Sequence, residues 1–149
     1  MVTVLYADTS AVVRAFMPDE PEHDELAKLL LDNEDLVITS ELTRVEFASA
    51  MARARNSGRF LYAKEAIRLF DQEVTSSGSL SVVPLEPRVV MPAAWRLVSD
   101  NYTLRALDAI HLAVAMHDTS RLARGRRVAM VTRDHRQAEA AKANGMEVL

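Results

Sequence analysis

An apolar run that ends in a carboxylate constrains this chain more than any other feature. Val2 to Val13 reads VTVLYADTSAVV, with Asp8 closing one apolar run and Thr9 and Ser10 leading directly into another. Val2, Val4 and Leu5, interrupted only by Thr3, fit a strand buried on both faces, as strands of parallel sheets are. Such a strand stops at Asp8, and open α/β sheets collect their ligands outside the carboxyl ends of the strands. The same Asp, beside Thr and Ser, is also a good helix N-cap, because its oxygens accept from the orphan N–H groups of a first turn. The choice between these roles turns on whether other acids fall at comparable places.

The rest of the chain alternates strand and helix. A short helix over Ser10 to Phe16 is stopped by Pro18 and Pro21. Glu22 to Asn33 places Leu26, Leu29 and Leu30 at helical spacing and leads into a second buried strand, Leu36 to Thr39. Thr39 or Ser40 then caps a long helix reaching Asn56, which Ser57-Gly58 ends. Leu61 to Thr75 reads as an amphipathic helix, Ser76 to Ser79 as a turn, and Leu80 to Leu85 as a third strand. Pro87 suits a first helical turn. Arg88 to Asp100 is helical in pattern, with Pro92 marking its start or a kink and Trp95, Leu97 and Val98 supplying core. Thr103 caps a helix through His117, Val128 to Thr132 forms the fourth strand, Asp134 to Asn144 a helix closed by Gly145, and Met146 to Leu149 a last strand. This order predicts an α/β three-layer αβα sandwich around a central, mostly parallel sheet of four to five strands. A length of 149 residues is that of one domain, 1–149, without repeat or linker.

Composition narrows the chemistry. The chain has no cysteine, which rules out disulfides, thiolate metal sites and a thiol nucleophile, and fits a reducing cytoplasm. No basic leader precedes an apolar segment with a cleavage site, and nothing approaches the roughly 18 apolar residues of a membrane span. A soluble cytoplasmic protein, with no membrane partner, is therefore expected. Net charge is −3, yet the positive charge is nearly all arginine and clusters at Arg53, Arg55 and Arg59, at Arg121, Arg124, Arg126 and Arg127, and at Arg133 and Arg136. Arginine suits phosphate through its planar fork of donors. The competing reading is that these are solvated helix faces.

Three further acids stand out. Glu46 lies in ELTRVEFASAMARAR, Glu41 to Arg55, a helix apolar around most of its circumference, on a narrow polar strip with Ser49 and Arg53. A carboxylate there needs a partner, since burying it unpaired is costly. Asp108 lies in TLRALDAIHLAVAM, Thr103 to Met116, which leaves almost no solvent face; Arg105 and His111 flank it at three residues on the same helical side. A structural Arg105–Asp108 pair is the plain alternative. Asp134 follows the fourth strand by two residues after Thr132 and, like Asp8, also reads as an N-cap.

Convergence of these acids would require a cation. Two carboxylates roughly 4 Å apart at an effective dielectric near 20 repel by about 4 kcal/mol, against a total domain stability of about 5–15 kcal/mol. With carboxylates, Ser or Thr hydroxyls and water as donors, the matching ion is hard, Mg²⁺ or Mn²⁺ and not zinc. Such a site activates water and steadies charge on a phosphodiester, which points to metal-dependent hydrolysis of nucleic acid.

Asp8-Thr9-Ser10 after an apolar first strand, Thr43-Arg44-Val45-Glu46-Phe47, LRALDAIHLAVA from Leu104 to Ala115, and Val131-Thr132-Arg133-Asp134 together resemble the successive motifs of PIN-domain ribonucleases, in particular VapC-type toxins of bacterial toxin–antitoxin pairs. The resemblance spans nearly the whole chain. It implies that Asp8, Glu46, Asp108 and Asp134 are the catalytic acids. Asp8 and Asp108 would hold the metal, and Glu46 and Asp134 would reach it directly or through water. It also implies that Ser10 and Thr132 are polar supports, that the cofactor is Mg²⁺ or Mn²⁺, that the substrate is RNA, and that the partners are a second copy of the chain and a VapB-type antitoxin. Arg105 would position RNA or pair with an acid, and His111 reads as structural.

Three alternatives fit less well. A phosphoacceptor receiver domain needs an acidic pair after the first strand and an Asp after the third, where this chain has one acid and Val83-Pro84-Leu85-Glu86. A metal-free histidine ribonuclease needs two converging histidines, and His23, His111, His117 and His135 show no such pattern. A non-catalytic adaptor usually lacks one or more of the acids, all of which are present here.

Overall fold

The computed structural model describes residues 3–32, 34–75, 78–101 and 103–149. Val2 of the expected first strand, Asn33 of the second expected helix and Ser76-Ser77 of the expected turn lie outside them. Five strands form one sheet: β1 Val4–Ala7, β2 Leu36–Ser40, β3 Leu80–Val83, β4 Val128–Val131 and β5 Glu147–Val148. They run in the order β3-β2-β1-β4-β5, and every pairing is parallel. The helices are α1 Thr9–Phe16, α2 His23–Leu31, α3 Glu41–Asn56, α4 Ala63–Glu73, α5 Pro87–Asp100, α6 Ala106–Val114, α7 Ser120–Ala123 and α8 His135–Ala143. The segment Ala115–Thr119, between α6 and α7, is π-helical.

Every residue of β1 is buried, as expected of a central parallel strand. Its alternate side chains enter two separate cores. Leu5 and Ala7 join Val37, Ala129 and Val131 under α1 to α4, where Phe16, Phe47 and Phe70 pack with ring centroids 4.6–5.6 Å apart. Val4 and Tyr6 join Ile38 and Met130 under α5 to α8. The result is the three-layer αβα arrangement that the alternation predicts.

This topology puts a crevice at the place where the acids stand. From β1 the chain builds outward to β2 and β3 on one side, then returns to β4 and β5 on the other, so the sheet's switch point lies between β1 and β4. Ala7 is paired with Val131. Asp8 and Thr132 therefore leave the sheet side by side at its carboxyl edge, where ligands of such folds bind.

Several local expectations need correction. Trp95 is 71% exposed and Val98 also faces outward; the buried face of α5 is Val90, Ala93, Ala94 and Leu97. That helix starts at Pro87, capped by the Glu86 carboxylate, and runs on through Pro92, whose missing N–H falls on its exposed side. Thr103 does not cap α6; Arg105 occupies that position without a side-chain bond, and regular α-helix stops at Val114 rather than at His117. Ser40 precedes α3 without capping it through its side chain. On α3 only Thr43, Phe47, Met51 and Ala54 are buried and Val45 is 69% exposed, so its apolar circumference is half solvent-facing. Among the described residues no helix is long and apolar enough to cross a membrane.

Candidate active site

A cleft of about 350 Å³ opens at the carboxyl edge of the sheet, and Asp8, Glu46, Asp108 and Asp134 all line it. They come from four different places: the end of β1, the middle of α3, the first turn of α6, and the N-cap of α8. Thr9, Ser10 and His111 complete the floor, with Arg14, Glu20 and Arg53 among the other lining residues.

Asp8 is held hardest. Its Oδ1 accepts from Ser10 Oγ at 2.6 Å and from the Ala11 N–H at 3.2 Å, and its Oδ2 accepts from Thr132 Oγ1. The cap reading and the cleft reading of Asp8 therefore hold together, because the bond to Ala11 caps α1. Ser10 Oγ also accepts from the Arg133 N–H at 2.8 Å, and Thr132 Oγ1 from the Asp134 N–H at 3.1 Å, so both hydroxyls fasten the ends of β1 and β4 together. Asp134 caps α8 by accepting from the Gln137 N–H at 3.1 Å and still lines the cleft.

Among the described residues Glu46 has no ion pair with an arginine, the partner its helix position suggests. Its Oε1 lies 2.6 Å from His111 Nε2 and accepts from Thr9 Oγ1 at 2.8 Å. His111 Nδ1 lies 2.7 Å from Tyr6 Oη. His111 is thus a member of the site that sequence reasoning set aside as structural, although its spacing of three residues from Asp108 was the available signal. Arg105 is exposed, lies outside the cleft lining and makes no ion pair with Asp108 among the described residues. Of the four histidines only His111 lines the cleft, which removes the pair that a metal-free mechanism would need.

The cleft shifts three of its acids, and in different directions. Burial raises Asp8 above the usual carboxylate range, against the opposing pull of His111, Ser10 and Thr132. Asp108 is pushed up from 3.8 to about 6, first by burial and then by the charges of Asp134 and Asp8. Glu46 also meets a burial cost, but the His111 and Thr9 hydrogen bonds and the nearby Arg53 bring it below its ordinary value. A cleft in which both Asp8 and Asp108 resist ionisation accommodates positive charge. The donor set suits a hard divalent cation: carboxylate oxygens and hydroxyls are at hand, and both nitrogens of the one imidazole are already engaged. Among the described residues no three His, Asp or Glu side chains are drawn around a single point. The fit is therefore one of donor chemistry and charge.

Four of the nine clustered arginines, Arg59, Arg121, Arg127 and Arg133, are engaged by protein acids. Arg59 bridges Asp19 and Glu20 at 3.3 and 2.9 Å, Arg14 approaches Glu20 and Glu22, Arg121 approaches Asp118, and Arg127 pairs with Glu147. Arg133 pairs with Glu22 and donates to the carbonyls of Thr132 and Leu149 at 3.0 Å each. The expected basic rim reduces at the cleft to Arg53, hydrogen-bonded to Ser49, and Arg14. Arg133 accordingly serves the fold: Arg133→Ala should cost about 1–3 kcal/mol in a thermal or denaturant melt, the range for hydrogen bonds of charged groups and stranded partners. An unchanged melt would contradict that role.

An α/β crevice lined by four acids from four elements is the setting in which the chain was compared with known proteins. The PIN-domain family model matches residues 5–143. Ribonuclease VapC47 of Mycobacterium tuberculosis is 35% identical over 137 residues, covering 89% of this chain and 86% of the relative. Ribonuclease VapC46 of the same organism is 31% identical over 148 residues, covering 99% and 98%. The chain belongs to the PIN-domain family. In fold it is similar to VapC20 of M. tuberculosis, a sarcin-ricin loop cleaving toxin (TM-score 0.65, 15% identity, 95% of each chain covered), and to VapBC2 of Rickettsia felis, solved bound to a promoter DNA fragment (TM-score 0.64, 10% identity, 98% and 97% covered).

Proposed function

We propose that residues 1–149 form a single PIN unit that acts as a metal-dependent endoribonuclease, the toxin of a VapBC-type toxin–antitoxin module. It works in the cytoplasm as a homodimer and is silenced by a VapB-type antitoxin. The observation that carries this reading is the meeting of Asp8, Glu46, Asp108 and Asp134 in one cleft of a chain whose relatives are named ribonucleases. Asp8 and Asp108 hold the ion, and Glu46 and Asp134 reach it directly or through water. When bound, Mg²⁺ or Mn²⁺ offsets the crowded carboxylates, acidifies a water and steadies charge on the phosphodiester. Ser10 and Thr132 keep Asp8 fixed against motion, and Thr9 keeps Glu46 aimed into the cleft. Arg53 and Arg14 face the phosphates; Arg14 exchanges a long ion pair, 3.8–3.9 Å, that contributes little to stability.

With about two to three phosphates gripped, RNA affinity should fall about tenfold between about 50 and 200 mM salt, read from KM; salt-independent cleavage would discredit the arginine contacts. The function itself is tested by incubating the purified protein with total bacterial RNA in Mg²⁺, Mn²⁺ or EDTA. Discrete fragments that require the divalent ion support the reading, and cleavage that survives EDTA overturns it. An intact RNA pool in all three, with RNA still bound, would favour the non-catalytic adaptor.

A further inference from the structure

We infer that His111, set in place by Tyr6, is a positioning residue for Glu46, and that the buried chain Tyr6–His111–Glu46 decides which oxygen of that carboxylate the cleft receives. The inference rests on the ribonuclease reading above and concerns how its site is held. Three elements from both layers of helix and the sheet between them meet here. Tyr6 is wholly buried in β1, His111 on α6 is 2% exposed, and Glu46 on α3 faces the cleft. Tyr6 Oη to His111 Nδ1 is 2.7 Å and His111 Nε2 to Glu46 Oε1 is 2.6 Å.

The chemistry of the end group orients the whole chain. An ionised carboxylate only accepts, so the proton of the inner bond sits on His111 Nε2. A neutral imidazole protonated there carries its lone pair on Nδ1, and the Tyr6 hydroxyl donates to it. A phenol is ordinarily protonated at neutral pH, so that donor persists. Thr9 brings a second donor to the same Glu46 oxygen at 2.8 Å. Oε1 is thereby tied twice, whereas Oε2 accepts no hydrogen bond among the described residues and is left for the cleft. Asp8 differs, because both of its oxygens are bonded to the protein. A histidine kept only for packing needs no such contact with a cleft acid. Groups that aim a metal-binding side chain from behind cost about 10–100-fold in affinity or activity when removed.

The test is calorimetric titration of Mn²⁺ into metal-free wild type, His111→Leu, His111→Gln and Tyr6→Phe, beside steady-state RNA cleavage. His111→Leu should weaken Mn²⁺ binding by about tenfold or more and lower kcat with KM for RNA unchanged. His111→Gln, whose amide can still donate to Glu46, should recover most of the loss, and Tyr6→Phe should show a smaller loss in the same direction. Nitrogen NMR of the metal-free protein should find His111 protonated at Nε2. Wild-type Mn²⁺ affinity in folded His111→Leu and Tyr6→Phe would overturn the role, as would a His111→Gln no better than His111→Leu. If His111→Leu does not fold, wild-type affinity in Tyr6→Phe overturns it alone. Wild-type protein that takes up no Mn²⁺ overturns the metal-site reading itself, and this inference with it; tight wild-type binding beside indifferent variants overturns only the inference.

Discussion

Asp8→Asn should lower RNA cleavage by about 10³-fold while leaving the protein folded. Loss of a metal-holding carboxylate removes several kcal/mol of charge stabilisation from the transition state, and about 4 kcal/mol corresponds to that factor. The fold should tolerate the change. An Asn side-chain oxygen can still accept from the Ala11 N–H that caps α1 and from the Ser10 hydroxyl, and the Thr132 hydroxyl can turn to accept from its amide. Burial already disfavours the charge on Asp8, so its removal relieves a cost. Circular dichroism and a melt check the fold, and a cleavage time course checks the rate. Cleavage within about tenfold of wild type would remove Asp8 from the chemistry.

Asp108→Asn should raise the melting temperature of the metal-free protein by about 2–4 °C near pH 8, a gain on the order of 1 kcal/mol once solvent screening of this half-exposed group is allowed for. The sign follows from the direction of its shift. In the folded protein Asp108 titrates at about 6, above its ordinary 3.8, so the native state binds the proton more tightly. Its contribution is favourable below about pH 4 and is lost as pH rises through about 6, where burial and the charges of Asp134 and Asp8 leave an uncompensated carboxylate. Asparagine has no such loss, so the variant's advantage should appear only above that window. Added Mg²⁺ should then raise the wild-type melting temperature more than the variant's. A variant that melts lower at high pH, with an undiminished Mg²⁺ response, would deny that Asp108 shares a site with the other acids.

What could be read in advance follows from how local each signal is. β1 and Asp8 were legible because burial on both faces writes a continuous apolar run, and because a strand end, a cap and a cleft wall all use the same acid. The four acids were legible as residues out of place, three of them beside apolar segments. Trp95 misled because a large aromatic reads as core, whereas α5 packs through Val90, Ala93 and Ala94, small side chains that let helix and sheet approach closely. The alanines of α3 gave no clear period, which hid how much of that helix faces water. The arginine clusters looked like a phosphate rim because their partners, such as Glu22 for Arg133 and Asp19 for Arg59, are remote in sequence or on another element. His111 was undervalued for the same reason. Its bonds reach Tyr6 and Glu46, 105 and 65 residues away, and only the fold brings them together. A tyrosine inside a buried strand, whose hydroxyl must find a partner, was the remaining clue.

The most direct measurement is a transcriptome-wide map of new RNA 5′ ends in bacterial cells after induction of this protein, beside an Asp8→Asn control made at the same level. A ribonuclease built on these four acids predicts discrete ends at a recurrent sequence or structure that vanish in the control. The same ends in wild type and control would contradict it.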